Sequence, residues 1–131
     1  MKINEVSKKY NLSLSTLRYY EKIGLLDYVE RVSGIRNYSE EDLSRIDFIL
    51  CMKGSGMSLE SIKRYFDLYE EGEETLEERL ELLKVQETET IKQLEKLQAT
   101  LEYIHYKMKL TEGNIKKRDK KNGRVKASVG N

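Results

Sequence analysis

LSLSTLRYYEKIGL, residues 12–25, decides the fold of this chain. Leu14, Leu17, Tyr20 and Ile23 recur at helical spacing and place one apolar stripe on one face. Tyr20, three residues past Leu17, is the inward member of the Tyr19-Tyr20 pair. That leaves Ser15, Thr16, Arg18, Tyr19 and Lys22 outward. Ser13 suits the N-cap and Gly24 the C-terminal stop. Upstream, a short helix starting near Ile3 or Asn4 buries Ile3, Val6 and Tyr10, and Asn11 supplies a tight turn. Two helices so joined read as a helix-turn-helix, whose second helix enters the major groove of DNA. The outward set fits that task. A guanidinium at Arg18 can take two acceptors on a guanine or clamp a phosphate, while hydroxyls and a phenol reach phosphate oxygens.

Past Gly24 the helical period gives way to alternation and turns. Tyr28, Val29 and Val32 suggest a short strand, Ser33-Gly34 a turn and Ile35 to Tyr38 a return strand. Ser39-Glu-Glu-Asp42 predicts a capping box opening a third helix, with Leu43, Ile46, Ile49 and Leu50 inward and Gly54-Ser-Gly56 as its stop. Ser58 caps a fourth helix, Leu59 to Glu71, with Leu59, Ile62, Phe66 and Tyr69 inward.

Thr75-Leu-Glu-Glu78 reads as another capping box, starting a helix that runs to about Leu110, roughly 54 Å at 1.5 Å per residue. Leu76, Leu80, Leu83, Glu87, Thr90, Leu94, Leu97, Leu101, Ile104 and Met108 follow at alternating steps of four and three. Eight of these ten are apolar, which is the pattern of a coiled-coil seam interrupted at Glu87 and Thr90. The DNA-binding region is too small to cover so long a stripe, so dimerisation through Leu80, Leu83, Leu94, Leu97, Leu101, Ile104 and Met108 is expected. Periodicity does not give the orientation. The expected organisation is a DNA-binding domain at 1–72, a coiled-coil helix at 73–112 and a basic, disordered tail at 113–131 lacking apolar period.

The motifs narrow the family. Leu17-Arg18-Tyr19-Tyr20-Glu21 followed by Gly24-Leu25-Leu26 closely resembles the MerR family of bacterial transcription regulators. Gly34-Ile-Arg-Asn-Tyr38 matches that family's wing pattern, commonly Gly-x-Arg-x-Tyr, although Asp27-Tyr28 stand where the family usually has Pro. Gly56-Met-Ser-Leu59 matches its Gly-aromatic-Ser-Leu pattern, with Met57 for the aromatic. The resemblance implies an all-α fold with a small β wing: a winged helix-turn-helix, a second helical pair and a long dimerising helix. It also implies an antiparallel coiled coil between two subunits, binding of an over-long promoter spacer, and bending and untwisting of that spacer so that both promoter elements face RNA polymerase. Arg36 and Tyr38 then become wing contacts to phosphate. Lys53 is a further candidate for DNA contact, although the helix dipole alone favours a cation there.

Bulk properties set limits. The 131 residues carry a net charge of +1, but the charge is uneven. Residues 67–112 hold thirteen acids against six bases, residues 1–66 eleven bases against nine acids, and residues 113–131 seven bases against one acid. Affinity for DNA therefore rests on placed contacts more than on a broad positive field. The basic tail is read as a solubilising end, with supplementary phosphate contact the lesser reading. No apolar run approaches a membrane span, no signal peptide is evident, and one Cys makes no internal disulfide, all of which point to a cytoplasmic protein. Cys51 and His105 lack metal-ligand spacing, and the cysteine clusters of the family's metal sensors are absent, so neither metal nor cofactor is expected. No nucleophile–base pair or phosphate loop suggests an enzyme.

Cys51 is most simply a small buried residue of the third helix. The chain is also similar to the short, aldehyde- and electrophile-responsive branch of the family, which carries a lone cysteine here and serves stress responses. A sensing thiol needs access and a lowered pKa. Two other readings remain: an architectural DNA binder without effector, and a coiled-coil adaptor whose helix-turn-helix binds protein.

Overall fold

The computed structural model describes residues 1–26 and 29–130, with side chains up to Gly123. Five helices and one hairpin follow in order: α1 (Ile3–Tyr10), α2 (Leu14–Lys22), β1 (Arg31–Val32), β2 (Ile35–Arg36), α3 (Glu40–Gly54), α4 (Leu59–Glu71), a 3-10 turn (Glu73–Thr75) and α5 (Leu76–Gly130). The expected class, all-α with a small wing, is the one found. Two compact units result: residues 1–90, and the chain from Ile91 onward.

Three helices of the first unit end in the same way. Asn11 (φ 53°), Gly24 (φ 81°) and Gly56 (φ 96°) adopt the left-handed conformation. The amide of the next residue then reaches back to the helix: Leu12 to Ser7 O at 3.0 Å, Leu25 to Tyr20 O at 2.9 Å, Met57 to Met52 O at 2.9 Å. This is the Schellman geometry, which satisfies a terminal carbonyl and turns the following apolar residue inward. Leu25 and Met57 are accordingly buried, and Leu12 is half-buried. Helix starts are equally regular. Ser13 Oγ accepts from Thr16 N, Ser58 Oγ from Ser61 N, and Ser39 with Asp42 forms the reciprocal capping box.

The core gathers Val6 from α1, Leu17 and Tyr20 from α2, Ile46 and Ile49 from α3, and Ile62 and Phe66 from α4. Burying apolar surface stabilises such a core by roughly 25 cal/mol per Å². Tyr10, Leu43, Leu50 and Leu59, expected inside, are partly buried against it. The hairpin is shorter than expected: Arg31 pairs with Arg36 and Val32 with Ile35. Ser33 (φ 53°) and Gly34 (φ 79°) form its two-residue turn, both at positive φ as a type I′ turn requires. Val29 lies in the core outside the strand, and Tyr28 lies outside the described residues.

Several expectations need correction. Tyr69 is 54% exposed, and Leu68 (1%) takes the inward place. Thr75 makes no capping box. Its hydroxyl donates to Leu68 O (2.5 Å) and Gly72 O (2.8 Å), and so closes the turn between α4 and α5. Arg45, unremarked in the sequence, is 7% exposed, pairs with Glu70 and lies over the Phe66 ring at 4.8 Å. The first turns of α5 belong to the N-terminal unit: Gln86 Nε2 donates to Ser55 O (3.0 Å) and Ser55 Oγ (2.9 Å) at the end of α3. Finally, α5 stays helical to Gly130, past Leu110 and through the segment read as a disordered tail. Lys, Arg and Asp with no Pro keep local helix propensity adequate there, so absence of an apolar period did not mean absence of helix.

Candidate nucleic-acid interface

The outward face of α2 is set by the burial of its other face. Leu17 and Tyr20 are 0% and 1% exposed, which turns Ser15, Arg18, Tyr19 and Lys22 to solvent. Tyr19 is 50% exposed. A half-exposed tyrosine beside an arginine and a lysine is costly to leave on an ordinary surface and apt for a polyanion. Thr16 is half-buried, and its Oγ1 lies 2.7 Å from Ser13 Oγ, itself 3.0 Å from Ser15 Oγ. Those hydroxyls are therefore shared with the helix cap.

The wing is fixed to α2 by a charge-assisted bond. Arg36 Nε donates to Glu21 Oε2 at 2.6 Å, and the two side chains are only 18% and 19% exposed. Glu21 went unnoticed in the sequence because its partner lies 15 residues away. One consequence concerns Arg31. Two arginines face each other across the hairpin, which is unfavourable for like charges. Glu21 neutralises Arg36, while Arg31 is exposed at the strand surface with its Nη1 only 3.4 Å from Gly34 O. Arg31 is thus a second wing cation that sequence reading missed. Its signal was there, an arginine flanking a turn, but the register was needed to place it.

Tyr38 does not belong to the surface. It is 2% exposed, and its buried hydroxyl finds no partner among the described residues. As placed it reaches no phosphate, which corrects the expected contact. Burial raises its phenol pKa above the ordinary 10.0, with the Glu21 carboxylate adding to the rise and Arg36 opposing it. The backbone explains why this side chain turns in. Tyr38 N donates to Met1 O at 2.7 Å, and Lys2 bridges Asn37, so the wing's exit is sewn to the start of α1.

Lys53, in the last turn of α3, is exposed, with Nζ 3.4 Å from Tyr20 OH and 5.8 Å from that ring's centre. It sits behind α2 and braces it. Cys51 is exposed, contrary to the buried reading. Along α5, Leu80 (50%), Leu94 (62%), Leu97 (66%), Leu101 (46%), Ile104 (47%) and Met108 (51%) are exposed, whereas Leu83 is half-buried.

Residues 1–68 match the family described as MerR HTH family regulatory protein, and residues 43–105 match MerR, DNA binding. The chain belongs to the MerR family of DNA-binding transcriptional regulators. Among its relatives is the HTH-type transcriptional regulator AdhR of Bacillus subtilis, 46% identical over 84 residues. That match covers 63% of this chain and 60% of the relative's length. A MerR family regulator from Listeria monocytogenes has the same fold at TM-score 0.82, with 34% identity over 98% of both chains. HiNmlR, a MerR family regulator lacking the sensor domain and solved bound to promoter DNA, aligns at TM-score 0.73 and 35% identity over 82% of this chain and 86% of that one. The MerR relatives are regulators, and this chain is not an enzyme. No helix among the described residues is long and apolar enough to cross a membrane.

Proposed function

We propose that this MerR family chain acts in the cytoplasm as a homodimer on a roughly palindromic promoter site. The dimer bends and untwists an over-long spacer so that both promoter elements face RNA polymerase, which it affects through the DNA. The observation that carries this reading is the paired surface of α2 and wing: Arg18, Tyr19 and Lys22 exposed on a recognition helix to which Glu21 ties the wing through Arg36. A two-fold pair of such surfaces needs a palindrome, and the exposed α5 stripe supplies a face through which two copies pair. Holding helix and wing rigidly together suits a protein that must strain DNA, because the deformation energy is drawn from contacts that do not yield.

The same proposal places an inducer at Cys51. Its thiol is exposed on α3, and its carbonyl accepts from Ser55 N at 3.2 Å. Ser55 in turn accepts from Gln86 of α5. An aldehyde or quinone adding to Cys51 therefore adds bulk one turn from the contact that joins α3 to α5. That biases the tilt of the recognition helix and with it a two-state DNA distortion. The test is to crosslink the protein in cells and sequence the bound DNA. A small set of promoters with long, inverted-repeat spacers is expected. Broad coverage without a promoter motif would replace this reading with an architectural one, and no recovered DNA with an AdhR-like dimer intact would favour an adaptor.

A further inference from the structure

The apolar stripe of α5 does not stop at Met108. The same steps of three and four continue through Thr111 to Ile115, which is helical and 42% exposed. Beyond it lies a basic end, with Lys116, Lys117, Arg118, Lys120 and Lys121 exposed on the helix. The other end is the opposite in charge: Glu73, Glu74, Glu77, Glu78 and Glu81 are exposed around the start of α5.

These positions decide how two copies fit. In a parallel pair Glu87 meets Glu87 and Thr90 meets Thr90 in the seam, and the acidic end meets its own copy, so like charges accumulate. An antiparallel pair in which Leu94 meets the other copy's Leu97 avoids every one of these clashes. Leu83 then meets Met108 and Leu76 meets Ile115, while Glu87 and Thr90 fall against Ile104 and Leu101. No polar member of the stripe opposes another, and the basic turns come level with the acidic ones.

We propose that residues 115–121 of one copy dock on the acidic residues 71–78 at the start of α5 of a second copy, with Ile115 seated beside Leu76 and the lysines along the glutamates. This rests on the homodimer proposed above and adds its orientation, its register and a use for the basic end other than DNA. Each exposed pair contributes little, but several in one row act together and only at low ionic strength.

Two measurements on the full chain test it. With Cys51 replaced by Ser, a Leu80→Cys chain and a Thr111→Cys chain are mixed and oxidised, because the register brings these positions together across the copies. Disulfides between the two kinds of chain are expected. Disulfides only within each kind would mean a parallel pair and overturn the proposal, although the protein would remain a dimer. Second, Lys117→Glu with Lys121→Glu should weaken the dimer roughly tenfold in low salt and much less in high salt. Mixing that chain with one carrying Glu73→Lys and Glu74→Lys should restore it. A dimer constant unmoved by the reversal overturns the docking. A wild-type chain that sediments as a monomer removes the homodimer itself, an outcome distinct from either of these.

Discussion

Glu21 on the recognition helix and Arg36 on the wing are joined at 2.6 Å, with both side chains more than four-fifths covered. The bond makes one rigid body of two elements that reach DNA from different sides. It also spends the Nε–H of Arg36 on protein, leaving the rest of its guanidinium for phosphate. A charge-assisted bond with little water around it is stronger than an exposed ion pair.

Glu21→Gln should therefore weaken operator binding although Glu21 itself carries the wrong charge to touch DNA. A thermodynamic cycle of Glu21→Gln and Arg36→Ala should give a coupling of about 1–2 kcal/mol in unfolding free energy. Strictly additive losses would mean that the pair does not hold the wing.

Arg18→Ala should cost roughly 1–3 kcal/mol in specific binding if the guanidinium reads a base, with a smaller loss on random DNA. Arg31→Ala should instead weaken binding evenly across sequences and flatten its salt dependence, as loss of a phosphate contact does. Gel-shift titrations on operator and scrambled duplexes separate the two. An Arg18→Ala chain with intact operator affinity removes α2 as the reading helix.

Tyr38→Phe should leave DNA binding unchanged and keep stability the same or raise it by up to about 1 kcal/mol, since a buried hydroxyl without a partner costs free energy. Its raised pKa has a further consequence. The native state holds the phenolic proton more tightly than the unfolded chain, so the contribution is fully present below the unfolded value of 10.0 and is lost as pH rises through the native one. Wild type should thus lose stability at alkaline pH more steeply than Tyr38→Phe. Phenolate absorbance should show one late-titrating tyrosine fewer in the variant.

Replacing Leu94 and Leu101 by Lys puts charges in the middle of the α5 stripe, where burial without partners is costly. The chain should sediment as a monomer with far-ultraviolet circular dichroism largely kept, and bind half-sites only weakly. A dimer that survives both substitutions places the interface elsewhere.

Cys51→Ser should bind the operator normally and fail to respond to aldehyde or quinone in a reporter strain. Full induction in Cys51→Ala would leave the exposed thiol without a regulatory part.

Sequence alone determined what depends on neighbours three, four or five residues apart. The helices, the Ser13, Ser39 and Ser58 caps, the stops at Asn11, Gly24 and Gly56, the inward Tyr20 and outward Tyr19, and the α5 stripe all follow from local hydrogen bonding and periodicity, and all are in the structure. Tertiary structure decided the rest. Arg36 met Glu21 across 15 residues, Tyr38 was drawn into the core by backbone pairing with Met1, Leu68 displaced Tyr69, and Cys51 was left on the surface. Whether a polar side chain is spent on protein or free for DNA turns on approaches of a few tenths of an ångström between distant segments. Residue type and local spacing carry no information at that scale, because the free energy of a buried ion pair or phenol belongs to the packed surroundings and not to the residue.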